Sequence, residues 1–224
     1  MKKLTPDIKK SITRDWQSLV PQFTVLQPMS LVRRIGPLVQ GICLDRDSNN
    51  AAYLPTLHVH CLCRPFPVLS LNLGQPLLSN RSGLAERLSV QFHETKYSDA
   101  CMQLIASSLL PVEGDWRLTQ LLEAYEKYRH LDRPDARYPV PLMEDAVSVC
   151  AWLGERDNAL SLAVQYSEEA QNWPENVLAR QGGLVGWKNT LSTLAISGDA
   201  LRQTVTEQIE SLKLQQVPAA QFLP

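Results

Sequence analysis

The 224-residue chain has no apolar run near the roughly 18 residues of a membrane-spanning helix. No leader is expected after the basic start Met1-Lys2-Lys3 either. Polar residues interrupt Ile8, Ile12 and Trp16, where a signal peptide needs about 7–15 consecutive apolar residues. Cysteines are few and odd in number: Cys43, Cys61, Cys63, Cys101 and Cys150. They follow no framework spacing, which argues against a disulfide scaffold and for free thiols in a reducing compartment. The expectation is a soluble, cytoplasmic protein with no membrane partner.

An excess of one charge is also missing. Lys and Arg number 22 against 23 Asp and Glu, a net −1, so there is no global pull toward nucleic acid. Hydrophobic residues make up 44%, too many for a disordered chain, and the length suffices for a core without staples.

Familiar catalytic signatures are absent. There is no G-x-S-x-G elbow and no kinase set. His93-Glu94 lacks the second histidine of H-E-x-x-H, because Tyr97 stands there, and reads as surface. Gly182-Gly183-Leu184-Val185-Gly186 lacks the Lys-Ser/Thr of a P-loop and follows no strand. Close helix approach, or a break before Trp187, accounts for it better. No cofactor is expected.

What is present is a change of period. Thr5 is a good N-cap and Pro6 suits the first helical position, so a helix is predicted over 5–20. Its apolar stripe is Ile8, Ile12, Trp16, Leu19 and Val20. Extended runs follow at 31–35, 38–44, 53–63 and 68–73, punctuated by Gly36-Pro37 and the turn-rich 45–50. Their alternation predicts an antiparallel meander with one buried face.

From about residue 80 the pattern turns helical. Helices are predicted over 84–92, 98–110, 116–130, 141–153 with Gly154 as C-cap, from 157 or 158 to 173, 175–197 and 198–214. Residues 132–141 read as a proline-punctuated loop. Leu153 to Leu160 resembles the turn of a tetratricopeptide-type hairpin in Gly154 and Ala159, although that repeat's aromatic and proline positions are not matched. A similar junction, Ser197-Gly198-Asp199-Ala200-Leu201, follows 44 residues later. Two junctions fall short of the roughly three repeats of a stable stack, so antiparallel helix pairs without strict repetition are expected.

The fold class is therefore α+β: a helix and small meander over 1–75, a helical lobe over 76–214 and a tail over 215–224. Charge divides at the same place. Residues 1–75 carry nine Lys and Arg against four Asp and Glu, and the remainder carries thirteen against nineteen.

His58-Val59-His60 is the sharpest constellation. Alternate strand residues share a face, so both imidazoles could meet one metal ion. A catalytic site needs a third ligand, and neither Asp45, Asp47, His93 nor Glu94 is placed there by spacing. The competing reading is a partly exposed polar strand face. Cys61-x-Cys63 is neither a zinc-finger nor a redox spacing and reads as buried small hydrophobes.

The acidic helical residues include Glu144, Asp145, Glu155, Asp157, Glu168 and Glu169, a candidate surface for a basic protein partner. Lys9, Lys10 and Arg14 form a candidate basic patch for phosphates, without interleaved aromatics for base stacking. Arg33 and Arg34 point to opposite strand faces.

The leading expectation is a non-enzymatic protein-interaction module. It would be of the kind of a bacterial toxin-neutralising immunity protein or an accessory subunit of a defence complex. The alternatives are a metal-dependent hydrolase or nuclease on His58 and His60, and nucleic-acid binding through the basic N-terminal segment.

Overall fold

A computed structural model describes residues 2–131 and 138–224. It shows the α+β class: an N-terminal helix, an antiparallel sheet in meander order and a predominantly helical later part. The expected loop over 132–141 falls mostly outside the described residues. The chain divides into two units, and they are interleaved in sequence rather than split near residue 75. One holds 1–60, 69–114 and 214–220; the other holds 61–68, 115–213 and 221–224.

The first unit opens with α1 (Pro6–Leu19), capped by Thr5, whose side chain accepts from the Ile8 amide. Its buried face is Ile12, Thr13 and Trp16, while Leu19 is exposed. Thr13 is buried because its hydroxyl bonds the Lys9 carbonyl and accepts from the Met29 amide at 2.8 Å. The meander follows as β1 (Thr24–Gln27), β2 (Ser30–Ile35), β3 (Leu38–Arg46), β4 (Ala52–Cys61) and β5 (Asn72–Pro76), in that spatial order. The last strand begins later than the expected 68–73.

Residues 84–92 are not helical. They give β6 (Leu88–Ser89), which pairs with β4, and a single 3-10 turn at Val90–Phe92. The apolar spacing there is real, but Leu84 is 71% exposed while Leu88 and Val90 are buried, so it does not form one stripe. Helix α2 then spans His93–Ala106. The core joins Ile12 and Trp16 of α1, Leu31, Ile42, Leu44, Tyr53 and Leu57 of the sheet, and Cys101 and Leu104 of α2.

One buried face was expected of the meander; β2, β3 and β4 are buried on both. Leu31, Arg33 and Ile35 lie opposite Ile42, Gln40 and Leu38, and Val32 lies opposite Gly41 on the other face. Arg33 is buried because its guanidinium is consumed internally. It donates to Gln40 Oε1 at 2.7 Å, the Gly114 carbonyl at 3.0 Å and the Pro111 carbonyl at 2.8 Å.

The second unit starts from β7 (Trp116–Arg117) and α3 (Leu118–Arg129), so the strand takes the first turn of the expected 116–130 helix. Next come α4 (Val140–Leu153), α5 (Arg156–Glu169), α6 (Glu175–Ala179), α7 (Gly183–Ile196) and α8 (Gly198–Ser211). Helix α4 is apolar almost all round and packs against α3, α5, α7 and α8. It ends as expected at Gly154, whose φ of 89° lets the Glu155 amide reach the Cys150 carbonyl. The single helix expected over 175–197 is two, because Gly182 and Gly183 both take positive φ.

The last ten residues are not a free tail. Strand β8 (Ala219–Ala220) pairs in parallel with β2 in the first unit. Strand β9 (Phe222–Leu223) pairs in parallel with β7 in the second. Val217 and Phe222 are buried. Composition could not reveal this, because both pairings join residues more than 100 positions apart. Among the described residues no helix is long and apolar enough to cross a membrane, and all five cysteines are free thiols.

Candidate functional site

The two strand histidines are not on an exposed face: each is only 2% exposed. The His58 ring lies on Gly41 of β3, so close that a Cβ at Gly41 would stand 2.2 Å from His58 Nε2. His60 Nδ1 accepts from the Ser70 amide at 3.0 Å, with Ser70 Oγ at 2.9 Å. Burial lowers the His58 pKa to about 4; the neighbouring His60 adds to this, and the Ser70 backbone opposes it. His58 is therefore a neutral packing group near neutral pH. Among the described residues no three His, Cys, Asp or Glu side chains converge as metal ligands. Asp45 is exposed at the end of β3, and Asp47 instead caps the 47–52 turn by accepting from the Ala51 and Ala52 amides.

Sequence reasoning placed His93 at the surface, but it is buried inside a second polar chain. Trp16 Nε1 donates to Tyr53 Oη at 3.1 Å, Tyr53 Oη lies 2.7 Å from His93 Nδ1, and His93 Nε2 lies 3.0 Å from Asp15 Oδ2. One proton arrangement satisfies every member. The indole can only donate, so the tyrosine gives its own proton to Nδ1, and the imidazole proton sits on Nε2 facing the carboxylate. Burial holds the Tyr53 hydroxyl protonated well above its ordinary range. This is a Tyr–His–Asp series, but Tyr53 is 0% exposed and offers no substrate a path. Its work is to tie α1, β4 and α2 together. Tyr53→Phe leaves the indole N–H and His93 Nδ1 without partners, an expected loss of about 2 kcal/mol. Urea unfolding with an unchanged slope would measure it.

The expected acidic surface is reduced. Glu144 and Asp145, the two charged residues of α4, face inward. Glu144 accepts from Arg64 Nη1 at 2.8 Å and from Trp187 Nε1 at 3.1 Å, and Asp145 Oδ1 lies 3.7 Å from Arg64 Nη2. Both are engaged within the second unit. Glu169 pairs with Arg129, which also lies over the Tyr166 ring, and Glu155 accepts from Asn158. Asp157 and Glu168 remain exposed. Of the basic patch, Lys10 and Arg14 are exposed on α1 and Lys9 is half-buried. Cys61 and Cys63 are buried as expected, and a hydrogen bond to Cys63 together with burial raises the Cys61 thiol well above its usual range.

Sequence reasoning missed an open groove in the helical unit. It lies between the start of α4 and the short α6, has a volume of about 330 Å³, and is lined by Tyr138, Val140, Pro141, Asn176, Val177, Arg180 and Gln181. Beside it Tyr138 meets Trp173 edge-on at 5.5 Å, and Trp173 meets Trp187 at 5.1 Å. The Trp187–Glu144 bond fixes the inner end of this aromatic row. The double glycine that breaks 175–197 also sets α6 apart as a separate wall. Arg180 is exposed and makes no ion pair among the described residues. The groove's only sequence signal was the Gly182-Gly183 pair two residues from Arg180. Comparison of the chain with protein-family models, with curated proteins and with solved structures finds no match.

Proposed function

We propose that the chain is a protein-interaction module whose helical unit holds a carboxylate-bearing, apolar segment of its partner. The groove between α4 and α6 is the observation that carries this reading. Its volume lies at the lower end of the range for small ligand sites, and its lining mixes apolar and polar side chains. Val140, Pro141 and Val177 supply the wall; Asn176, Gln181 and the Arg180 guanidinium supply orientation. Guanidinium is the side chain best matched to a carboxylate, which it can grip through two parallel bonds. This partner chemistry is acidic. The reading of a basic partner rested on six carboxylates, two of which are enclosed in the second unit. The two buried polar chains support the same reading, since each is consumed in holding elements of the sheet unit together.

Selection of a random peptide library on the immobilised full chain tests the proposal. Enriched peptides are expected to share an acidic residue beside an apolar one. Arg180→Glu should weaken them by about tenfold or more, and Glu168→Lys should leave them unchanged. Equal binding to the Arg180→Glu chain would remove the groove from the interface. No enrichment at all would remove the interaction reading.

A further inference from the structure

His58 and His60 are close to one residue of the strand-to-strand connection, and the consequence is chemical. A backbone amide can only donate, so His60 Nδ1 must be unprotonated to accept from Ser70 at 3.0 Å. A proton on that nitrogen would put two donors face to face. His58 beside it is disfavoured as a cation by burial, and its Nδ1 is buried with no hydrogen-bond partner among the described residues. The ring packs closely on Gly41.

We propose that the His58–His60 pair is an acid-sensitive latch that releases residues 69–72 from the end of β4 when it takes up protons. The latch closes on Ser70, and Asn72 pairs with Val59 immediately beyond it. A register irregularity between Leu57 and Val59 lies beside this point, so the ladder there is already interrupted and has less to lose.

The charged and titratable groups on the same sheet face do not oppose release. Arg34 of β2 is a cation, Cys43 of β3 is a thiol raised by burial and by Asp45, and Asp45 itself is exposed at the far end of β3. Besides burial, His60 disfavours a proton on His58 and the Ser70 backbone favours one, the lowering causes being the larger, and no carboxylate is among these groups.

The sign of the effect follows. In the opened chain an imidazole protonates near its ordinary value of about 6.5. In the closed chain His58 stays neutral down to about 4. Opening therefore takes up protons between these limits. The closed form is fully favoured above the upper limit, and opening grows up to about tenfold for each pH unit below it.

Amide hydrogen exchange of the full chain between about pH 7 and about pH 5, corrected for intrinsic rates, tests the latch. Protection at residues 70–72 is expected to fall by about tenfold or more, while the buried face of α1 keeps its protection. In His58→Asn/His60→Asn neither side chain titrates, and the Oδ1 introduced at position 60 stands where Nδ1 stood and can still accept from Ser70. This variant should keep its protection at the lower pH. Unchanged protection of 70–72 in the native chain would overturn the latch. So would uniform loss across the chain, or the same loss in the variant. Should the variant fail to fold, imidazole resonances of the native chain decide. Titration of both rings near their ordinary value without any change at Ser70 would overturn the latch, and titration together with release of Ser70 would establish it.

Discussion

Replacing Gly41 with alanine is expected to destabilise the chain by about 3 kcal/mol. The new Cβ would stand 2.2 Å from His58 Nε2 and 2.6 Å from its Cε1. Ordinarily the far end of a side chain gives way to such an intrusion. Here there is little room for that, because His58 is 2% exposed. Either the ring leaves a favoured rotamer or β3 and β4 part, and both are overpacking costs. A double-mutant cycle isolates the clash. His58→Ala alone opens a cavity, and adding Gly41→Ala then costs little, because the methyl group enters vacated space. Coupling of about 2 kcal/mol between the two positions is expected from urea unfolding of all four chains near neutral pH. A Gly41→Ala cost below about 1 kcal/mol would mean that the ring is not held against β3.

Gly41 also shows what kind of information the sequence carried. A glycine inside a strand pattern signals close approach of another group, and that signal was there to read. The approaching group was not, since His58 lies 17 positions away and its reach depends on strand pairing. The same division runs through the molecule. Local chemistry was legible: Thr5-Pro6 opens α1, Gly36-Pro37 separates β2 from β3, and Gly154 closes α4. Each depends on a few adjacent backbone groups.

Features settled by distant partners were misread. Leu84 to Phe92 has helical spacing, but pairing of Leu88 with Tyr53 draws it into the sheet. His93 looked like surface because its neighbours Glu94 and Lys96 are polar; Tyr53 and Asp15 enclose it. Glu144 and Asp145 looked like surface because helical carboxylates usually are, and Arg64 and Trp187 hold them inside. The groove was illegible for the same reason: its walls come from separate helices, and their separation depends on where the Gly182-Gly183 break falls.

Deleting residues 215–224 is expected to cost more than any single substitution considered above, about 5 kcal/mol. Two buried side chains go, Val217 and Phe222, each contributing about 1.5–3 kcal/mol through burial. Backbone bonds go with them. The Gly36 amide loses the Ala220 carbonyl at 3.3 Å, the Trp116 amide loses the Gln221 carbonyl at 3.1 Å, and Asp115 Oδ1 loses the Gln221 amide at 2.7 Å. Against a total stability of about 5–15 kcal/mol, such a loss brings the chain close to its unfolding limit. Graded changes keep the prediction measurable if that limit is crossed. Deleting only 221–224 removes β9 and spares β8, so its cost should fall between that of Phe222→Ala, about 3 kcal/mol, and that of the full deletion. A free tail predicts the opposite pattern, with unfolding midpoints unchanged in all three chains. Two short strands of two residues each would be negligible as isolated pairs. Their weight comes from where they join, because each adds its bonds and its apolar side chain to a part of the chain that is already ordered, so the entropy spent on fixing ten residues is recovered at several points at once.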